Sequence, residues 1–203
     1  MLPEKERAEQ MLAEAEERNP GPWGSHSRVV ARCAEKIAAR AGLDPKKAYI
    51  LGLLHDIGRR EGVTNFRHIT DGYHYLEKQG YDEAAKICLT HSFCIPDIHM
   101  HIGKCDLTQE EYDEVVHLLA VCEYDDYDRL IQLCDSIALP EGPVDLATRM
   151  GDVKRRYGSY PEAKWQKNFE LKKYFEQKMG ADLYEVVEAD TGGKVSAVGL
   201  SCG

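Results

Sequence analysis

Ala48-Tyr49-Ile50-Leu51-Gly52-Leu53-Leu54-His55-Asp56-Ile57-Gly58 is the stretch from which the rest of this chain is best read. Its apolar members, Ala48, Tyr49, Ile50, Leu51, Leu53 and Leu54, leave a helix with no obvious solvent side, so the segment is expected at the centre of a bundle. An imidazole and a carboxylate stand side by side at its end. Adjacent helical positions point about 100° apart, so His55 and Asp56 meet one ion only where the helix wall runs close to it, or where two ions lie side by side. A carboxylate in a dry interior is costly enough that it pairs, takes up a proton or binds a cation.

Just upstream, Asp44-Pro45 supplies an N-cap and a proline at the first helical position, a start signal for this helix, which is expected to stop near Gly58. Before it, Ser25 is the expected cap of a helix to about Ala41. There His26, Val30, Cys33 and Ile37 recur at helical spacing, placing His26 on the core-facing stripe at the first turn. Gly42 closes that helix, and the short turn makes the two helices neighbours. The Asn19-Pro20-Gly21-Pro22 cluster separates them from an amphipathic surface helix over residues 3–18.

Downstream, Arg59, Arg60, Glu61 and Gly62 read as a charged connection. His68 and Ile69-Thr70-Asp71-Gly72 follow, then a helix-like run Tyr73–Gln79 closed by Gly80. Asp82 caps a helix from Glu83 to about His91, and Ser92–Lys104 reads as a loop. The capping box Thr108-x-x-Glu111 begins a helix with Val115, Val116, Leu118 and Leu119 inside. Asp125–Asp128 offers caps for another, whose Leu130, Leu133, Cys134 and Ile137 form a core stripe with Asp135 beside it. Helices from about Asp145 to Tyr157 and from Pro161 to Met179 complete the reading. No run alternates with period two, so the fold class is all-α: a multi-helix bundle over residues 1–180 with a Gly/Ser-rich tail over 181–203.

Composition bounds function. The 203 residues carry a net charge of −9, with 30% charged and 43% hydrophobic residues. That is a globular balance, and the acidic excess disfavours stable binding to nucleic acid or to an anionic membrane while leaving room for a local basic pocket. The seven cysteines, Cys33, Cys88, Cys94, Cys105, Cys122, Cys134 and Cys202, form no C-x-x-C pair and read as reduced thiols, several of them packed in the core of a cytoplasmic protein. The charged start and the modest apolar run around Ile50 match neither a signal peptide nor a membrane span.

His26, His55-Asp56, His68, His91 and Asp135 form the candidate constellation. Taken singly, each is more often a hydrogen-bonded or solvated helix residue than a ligand. Together they matter more, because His26, His55, Asp56 and Asp135 all fall on or beside apolar helix faces, where uncompensated polarity is expensive. Arg59 and Arg60 stand where they could hold phosphate oxygens, or simply form a solvated run. His74, His99, His101 and His117 read as surface or loop residues, and Lys172 and Lys173 as a solvated face.

The ordered pattern His26, His55-Asp56 with Ile57-Gly58, and Asp135 in Leu133-Cys134-Asp135-Ser136-Ile137 resembles the H…HD…D signature of HD-domain metal-dependent phosphohydrolases over about residues 20–140. The resemblance implies His26, His55, Asp56 and Asp135 as ligands of one metal ion. His68 with Gly72 matches the H-x-x-x-G element of the two-metal subset, and His91 stands where a further ligand is expected, similar to bacterial hydrolases of dinucleoside polyphosphates. Three departures point away from cyclic-dinucleotide phosphodiesterases: the spacing of twelve positions from Asp56 to His68, Ser92 in place of a second consecutive histidine, and the absence of a GYP element.

The implied chemistry is hydrolysis of a phosphate ester or anhydride of a nucleotide or related small molecule, with Asp56 bridging two ions and Arg59 stabilising the transition state. Imidazole and carboxylate ligands suit Fe or Mn, with Co, Ni or Zn as alternatives. A di-iron redox enzyme and a non-catalytic, metal-stabilised nucleotide-binding module are the competing readings.

Overall fold

Gly52 sets the distance between the two helices on which the bundle is built. In the computed structural model, which describes residues 1–189, a Cβ added there would lie 2.9 Å from the Ala31 Cα. Only glycine lets α2 (Trp23–Ala41) and α3 (Pro45–Leu54) approach so closely. Every residue from Ala48 to Leu54 is buried, as the apolar run predicts. α3 is surrounded by α1 (Lys5–Arg18), α2, α5 (Asp82–Thr90) and α7 (Asp126–Asp135). Its start is the expected one: Asp44 Oδ1 accepts from Lys46 N and Lys47 N, with Pro45 at the first position, a cap worth about 1 kcal/mol.

A smaller apolar cluster, including Phe66, Leu89, Phe93 and Val115, joins α4 (Arg67–Glu77), α5 and α6 (Gln109–Val121). α8 (Leu146–Tyr157), α9 (Glu162–Met179) and α10 (Leu183–Val187) follow, and the only strands among the described residues are the pair Ala138–Leu139 and Gly142–Pro143. The all-α reading therefore stands. No helix among the described residues is long and apolar enough to cross a membrane.

Several local expectations are corrected. Ser25 is not the cap of α2: the helix begins at Trp23, whose indole Nε1 donates to Asn19 O, and Ser25 lies exposed within the first turn. α3 stops at Leu54, and a 3-10 turn over Ile57–Glu61 replaces the expected continuation to Gly58 and the charged connection. α4 starts at Arg67, not Tyr73, because Asp106, far along the chain, accepts from Asn65 N at 2.7 Å and Arg67 N at 2.8 Å. α5 includes Asp82 as its first residue, with no side-chain cap.

Further along, the loop after α5 contains a 3-10 turn at Ile98–Met100. The capping box at Thr108 forms as read and Asp125 caps α7, in a capping box with Asp128, but in α6 only Val115 and Leu119 are buried; Val116 is exposed and Leu118 partly so, since one face alone meets the small cluster. Lys172 is largely covered, lying 2.5 Å from Glu176 and over the Tyr184 ring. Residue 180 is not where packing ends: Leu183 and Val187 of α10 are buried in the main core, so the boundary drawn there falls too early. The Gly/Ser-rich stretch from residue 190 lies outside the described residues.

Candidate metal centre

Glycines position this site. A Cβ on Gly58 would fall 1.9 Å from His68 O and 2.4 Å from Gly72 N, and one on Gly72 would fall 3.0 Å from Cys88 Sγ. The turn after Asp56 therefore sits directly on the first turns of α4, and α4 sits on α5. Spacing His68 and Gly72 by one helical turn places the imidazole beside Asp56 while the glycine admits the backbone of the turn. Asp56 itself has φ −107° and ψ 15°, the bridge conformation, which redirects its side chain from the helical path of α3. That redirection brings two sequence neighbours to one place, with His55 Nε2 3.8 Å from Asp56 Oδ2.

All six predicted ligand residues converge. His26 Nε2 lies 3.0 Å and His55 Nε2 4.0 Å from Asp135 Oδ1. On the other side, His68 Nε2 is 3.3 Å and His91 Nε2 3.6 Å from Asp56 Oδ1. Two overlapping groups, His26-His55-Asp135 and His55-Asp56-His91, each have ligand atoms within 4.8 Å of one another. His55 follows the last residue of α3, His91 follows that of α5, and Asp135 ends α7, so three helices point their negative ends at this spot. Such an arrangement favours a cation.

The hydrogen bonds fix which ring nitrogens are free. His55 Nδ1 donates to Gly52 O at 2.7 Å, His91 Nδ1 to Cys88 O at 2.8 Å, and His68 Nδ1 to Asn65 O. A carbonyl only accepts, so each Nδ1 carries a hydrogen, and Nε2 is the nitrogen whose lone pair the neutral form turns inward. Burial pushes His55 down to about 4 and, with Arg59 adding to it, His68 well below the usual imidazole range. The carboxylates are ionised. Burial alone would raise Asp56, but Arg59 overcomes it and holds the group well below the ordinary range. For Asp135 burial is outweighed by the His26 hydrogen bond and by Arg149.

Lone pairs thus face lone pairs. His55 Nε2 and Asp56 Oδ1 are buried with no hydrogen-bond partner. A divalent cation satisfies both atoms at once, and the backbone carbonyls behind the rings are the outer partners that metal-bound histidines use. The donor set fits such an ion.

Above this floor lies a cavity of about 430 Å³. Arg59 lines it, donating from Nε to Asp56 Oδ2 at 2.6 Å and placing Nη2 3.4 Å from His68 Nε2. Arg60 turns away, its guanidinium 3.9 Å from the Tyr75 ring centroid, so of the two arginines only Arg59 faces the floor. His74, His99 and His117 are exposed and apart from the site. His101 is no surface residue: it stacks on Phe66 with ring centroids 4.1 Å apart, lines the cavity, and burial pushes it down to about 4.

The far wall comes from α8, α9 and the turn between them, with Arg149, Arg156, Tyr157, Tyr160, Lys164 and Asn168. The sequence reading missed all six. One signal was present: Lys164, Asn168, Leu171 and Phe175 share a helical stripe whose last three members are buried, so Lys164 is an extension of a core face.

A family model described as HD domain matches residues 23–139 of the chain. No solved structure matches it. The match takes in all six converging residues and Arg59 but stops before α8 and α9.

Proposed function

The chain belongs to the HD domain family, and from that membership and the geometry of its buried cluster we propose a metal-dependent phosphohydrolase acting on a phosphate ester or anhydride of a nucleotide or related small molecule. The observation that carries the reading is the pair of orphaned buried atoms, His55 Nε2 and Asp56 Oδ1, in a ring of inward lone pairs. We assign His26, His55, Asp56 and Asp135 to one ion and His68 and His91, with Asp56 shared, to a second. Imidazole and carboxylate donors suit Fe or Mn, or else Co, Ni or Zn, rather than Mg or Ca. Bound there, such ions supply activated water and neutralise charge on a phosphoryl group.

The chain's own residues do the rest. Backbone carbonyls of Gly52, Asn65 and Cys88 hold three imidazoles in one tautomer, so no proton has to leave them before they coordinate. Arg59, half-buried beside Asp56, has two guanidinium nitrogens aimed at the floor and is placed to hold phosphoryl oxygens as charge develops on them. The free thiols buried at Cys33, Cys88, Cys94 and Cys134 suit a reducing compartment such as the cytoplasm.

Metal analysis of anaerobically purified protein, joined to hydrolysis assays on mononucleotides and dinucleoside polyphosphates, tests this reading. Release of phosphate that stops with chelation and returns with Mn or Fe is expected; a metal-loaded protein inert on the whole panel would overturn it. His91→Ala should reduce stoichiometry from near two ions to near one.

A further inference from the structure

Two cations on the far wall of the cavity lack counter-ions of their own. Lys164, in the first turn of α9, donates from Nζ to Ser92 O at 2.7 Å and Met100 O at 3.3 Å, and among the described residues no carboxylate oxygen lies within 4.0 Å of it. Arg149, in the first turn of α8, donates from Nε to Ala138 O at 2.6 Å, while its Nη1 is buried without a hydrogen-bond partner. The carboxylate nearest that nitrogen, Asp152 at 3.8 Å, is already bonded to Arg155 and Arg156.

Both cations lie close enough to Asp135, and to each other, to sense one another's charge; burial, with Arg149 adding to it, holds the Lys164 ammonium below its ordinary value. Two like charges lining one cavity, one of them with a buried nitrogen left without a partner, cost free energy unless an anion joins them. In a chain of net charge −9 the pairing is not a by-product of general basicity.

We propose that Arg149 and Lys164 form a subsite for a second anionic group of the substrate, adjoining the phosphoryl group held over the floor, so that a diphosphate is preferred to a simple monoester. This rests on reading the floor as a phosphohydrolase centre, where one phosphoryl group is already matched by Arg59 and the metal ligands. The cavity, at about 430 Å³, is of small-molecule size and has room beyond a single phosphate. In the reaction, water oxygen bonds to the attacked phosphorus and the bridging P–O bond breaks with its electron pair going to the leaving phosphate. The proton lost by water passes to the products or solvent. Arg149 and Lys164 then face the charge that appears on the leaving group.

Titration calorimetry on the metal-loaded full chain, with the non-hydrolysable probes methylphosphonate, methylenediphosphonate and phosphonoacetate, tests the subsite. Methylenediphosphonate should bind at least about tenfold more tightly than methylphosphonate, a difference of about 1.4 kcal/mol. Arg149→Gln and Lys164→Gln should each cut that ratio to about threefold or less with metal content retained, and Arg149→Lys, which keeps the charge, should restore part of it. Lys164→Gln keeps a donor for the two carbonyls, so the test survives if an Arg149 variant folds poorly. An unchanged ratio in both glutamine variants overturns the subsite, and tightest binding of phosphonoacetate overturns the diphosphate in favour of a phosphate-carboxylate substrate. A chain that takes up no metal instead overturns the reading of the floor, a different failure from equal affinities on a loaded one.

Discussion

Asp128 and Asp56 are both buried carboxylates of the same bundle, 0% and 4% exposed, and they are treated in opposite ways. Asp128 is closed: it accepts from Thr90 Oγ1 at 2.7 Å and Asp125 N at 2.7 Å, and Lys86 Nζ lies 2.6 Å away. Asp56 has Arg59 on Oδ2, but its Oδ1 faces two imidazole nitrogens that have no hydrogen to give. Burial of charge alone therefore does not mark a site. What separates a structural carboxylate from a ligand is whether the fold completes its hydrogen bonds, because a group left incomplete in a dry setting is destabilising until something binds it.

The strongest way to break this contrast is to remove each carboxylate from the metal-free protein. Asp128→Ala strands a partly buried ammonium and should cost about 3 kcal/mol in denaturant unfolding. Asp56→Asn should cost less, about 1 kcal/mol, since the amide oxygen still accepts from Arg59 and the amide N–H can donate to His91 Nε2. Equal losses in both variants would mean that Asp56 is as structural as Asp128.

Gly58→Ala comes next, expected to cost about 1–3 kcal/mol because the new Cβ must displace the α4 backbone at His68. Metal affinity should fall further than stability, since the ring of His68 moves with that backbone. Full metal retention would show that the close approach of turn and helix is not what positions His68.

His101 sharpens the comparison with a third case. Its Nε2 is buried without a partner, yet the ring is stacked on Phe66 and lies in neither of the potential ligand groups. Its pKa, about 4 when folded, is below the ordinary imidazole value, so between about pH 6.5 and 4 the unfolded chain binds a proton that the folded chain refuses. Stability from this group is complete above the unfolded pKa and is lost as pH falls through that window, on the order of 1–2 kcal/mol. His101→Gln should flatten the corresponding part of the stability profile without changing metal content. An unaltered slope would show that the ring titrates freely in the folded state.

The smallest effect is expected for Arg60→Ala. Loss of the stack on Tyr75 should cost about 0.5–1 kcal/mol and leave kcat/KM unaltered, whereas Arg59→Ala should lower turnover at unchanged metal content. Comparable kinetic losses in the two would remove the distinction between an arginine facing the floor and one facing away.

Much of this was legible in the chain because metal-type residues and helix periodicity leave separate marks. His26 and Asp135 stood out by interrupting or flanking apolar stripes, and α3 by having no polar face. The start of α4 was hidden, since its cap is Asp106, which the chain brings back from far along the sequence. Arg149 and Lys164 were hidden for a related reason: a cation on a helix looks solvated until the opposing wall is known, and that wall is assembled from α2, α4, α7 and the turns after α3 and α5. The boundary placed at residue 180 came from the Gly/Ser-rich composition further along, which says nothing of Leu183 and Val187, buried in the main core.

Metal stoichiometry measured on anaerobically purified parent, Asp56→Asn and Asp128→Asn proteins bears most directly on the central claim that the unclosed carboxylate cluster holds a cation. At least one transition-metal ion per chain is expected in the parent and in Asp128→Asn, with occupancy sharply reduced in Asp56→Asn. A parent that takes up no transition metal when supplied with it, or an Asp56→Asn protein loaded as fully as the parent, would contradict it.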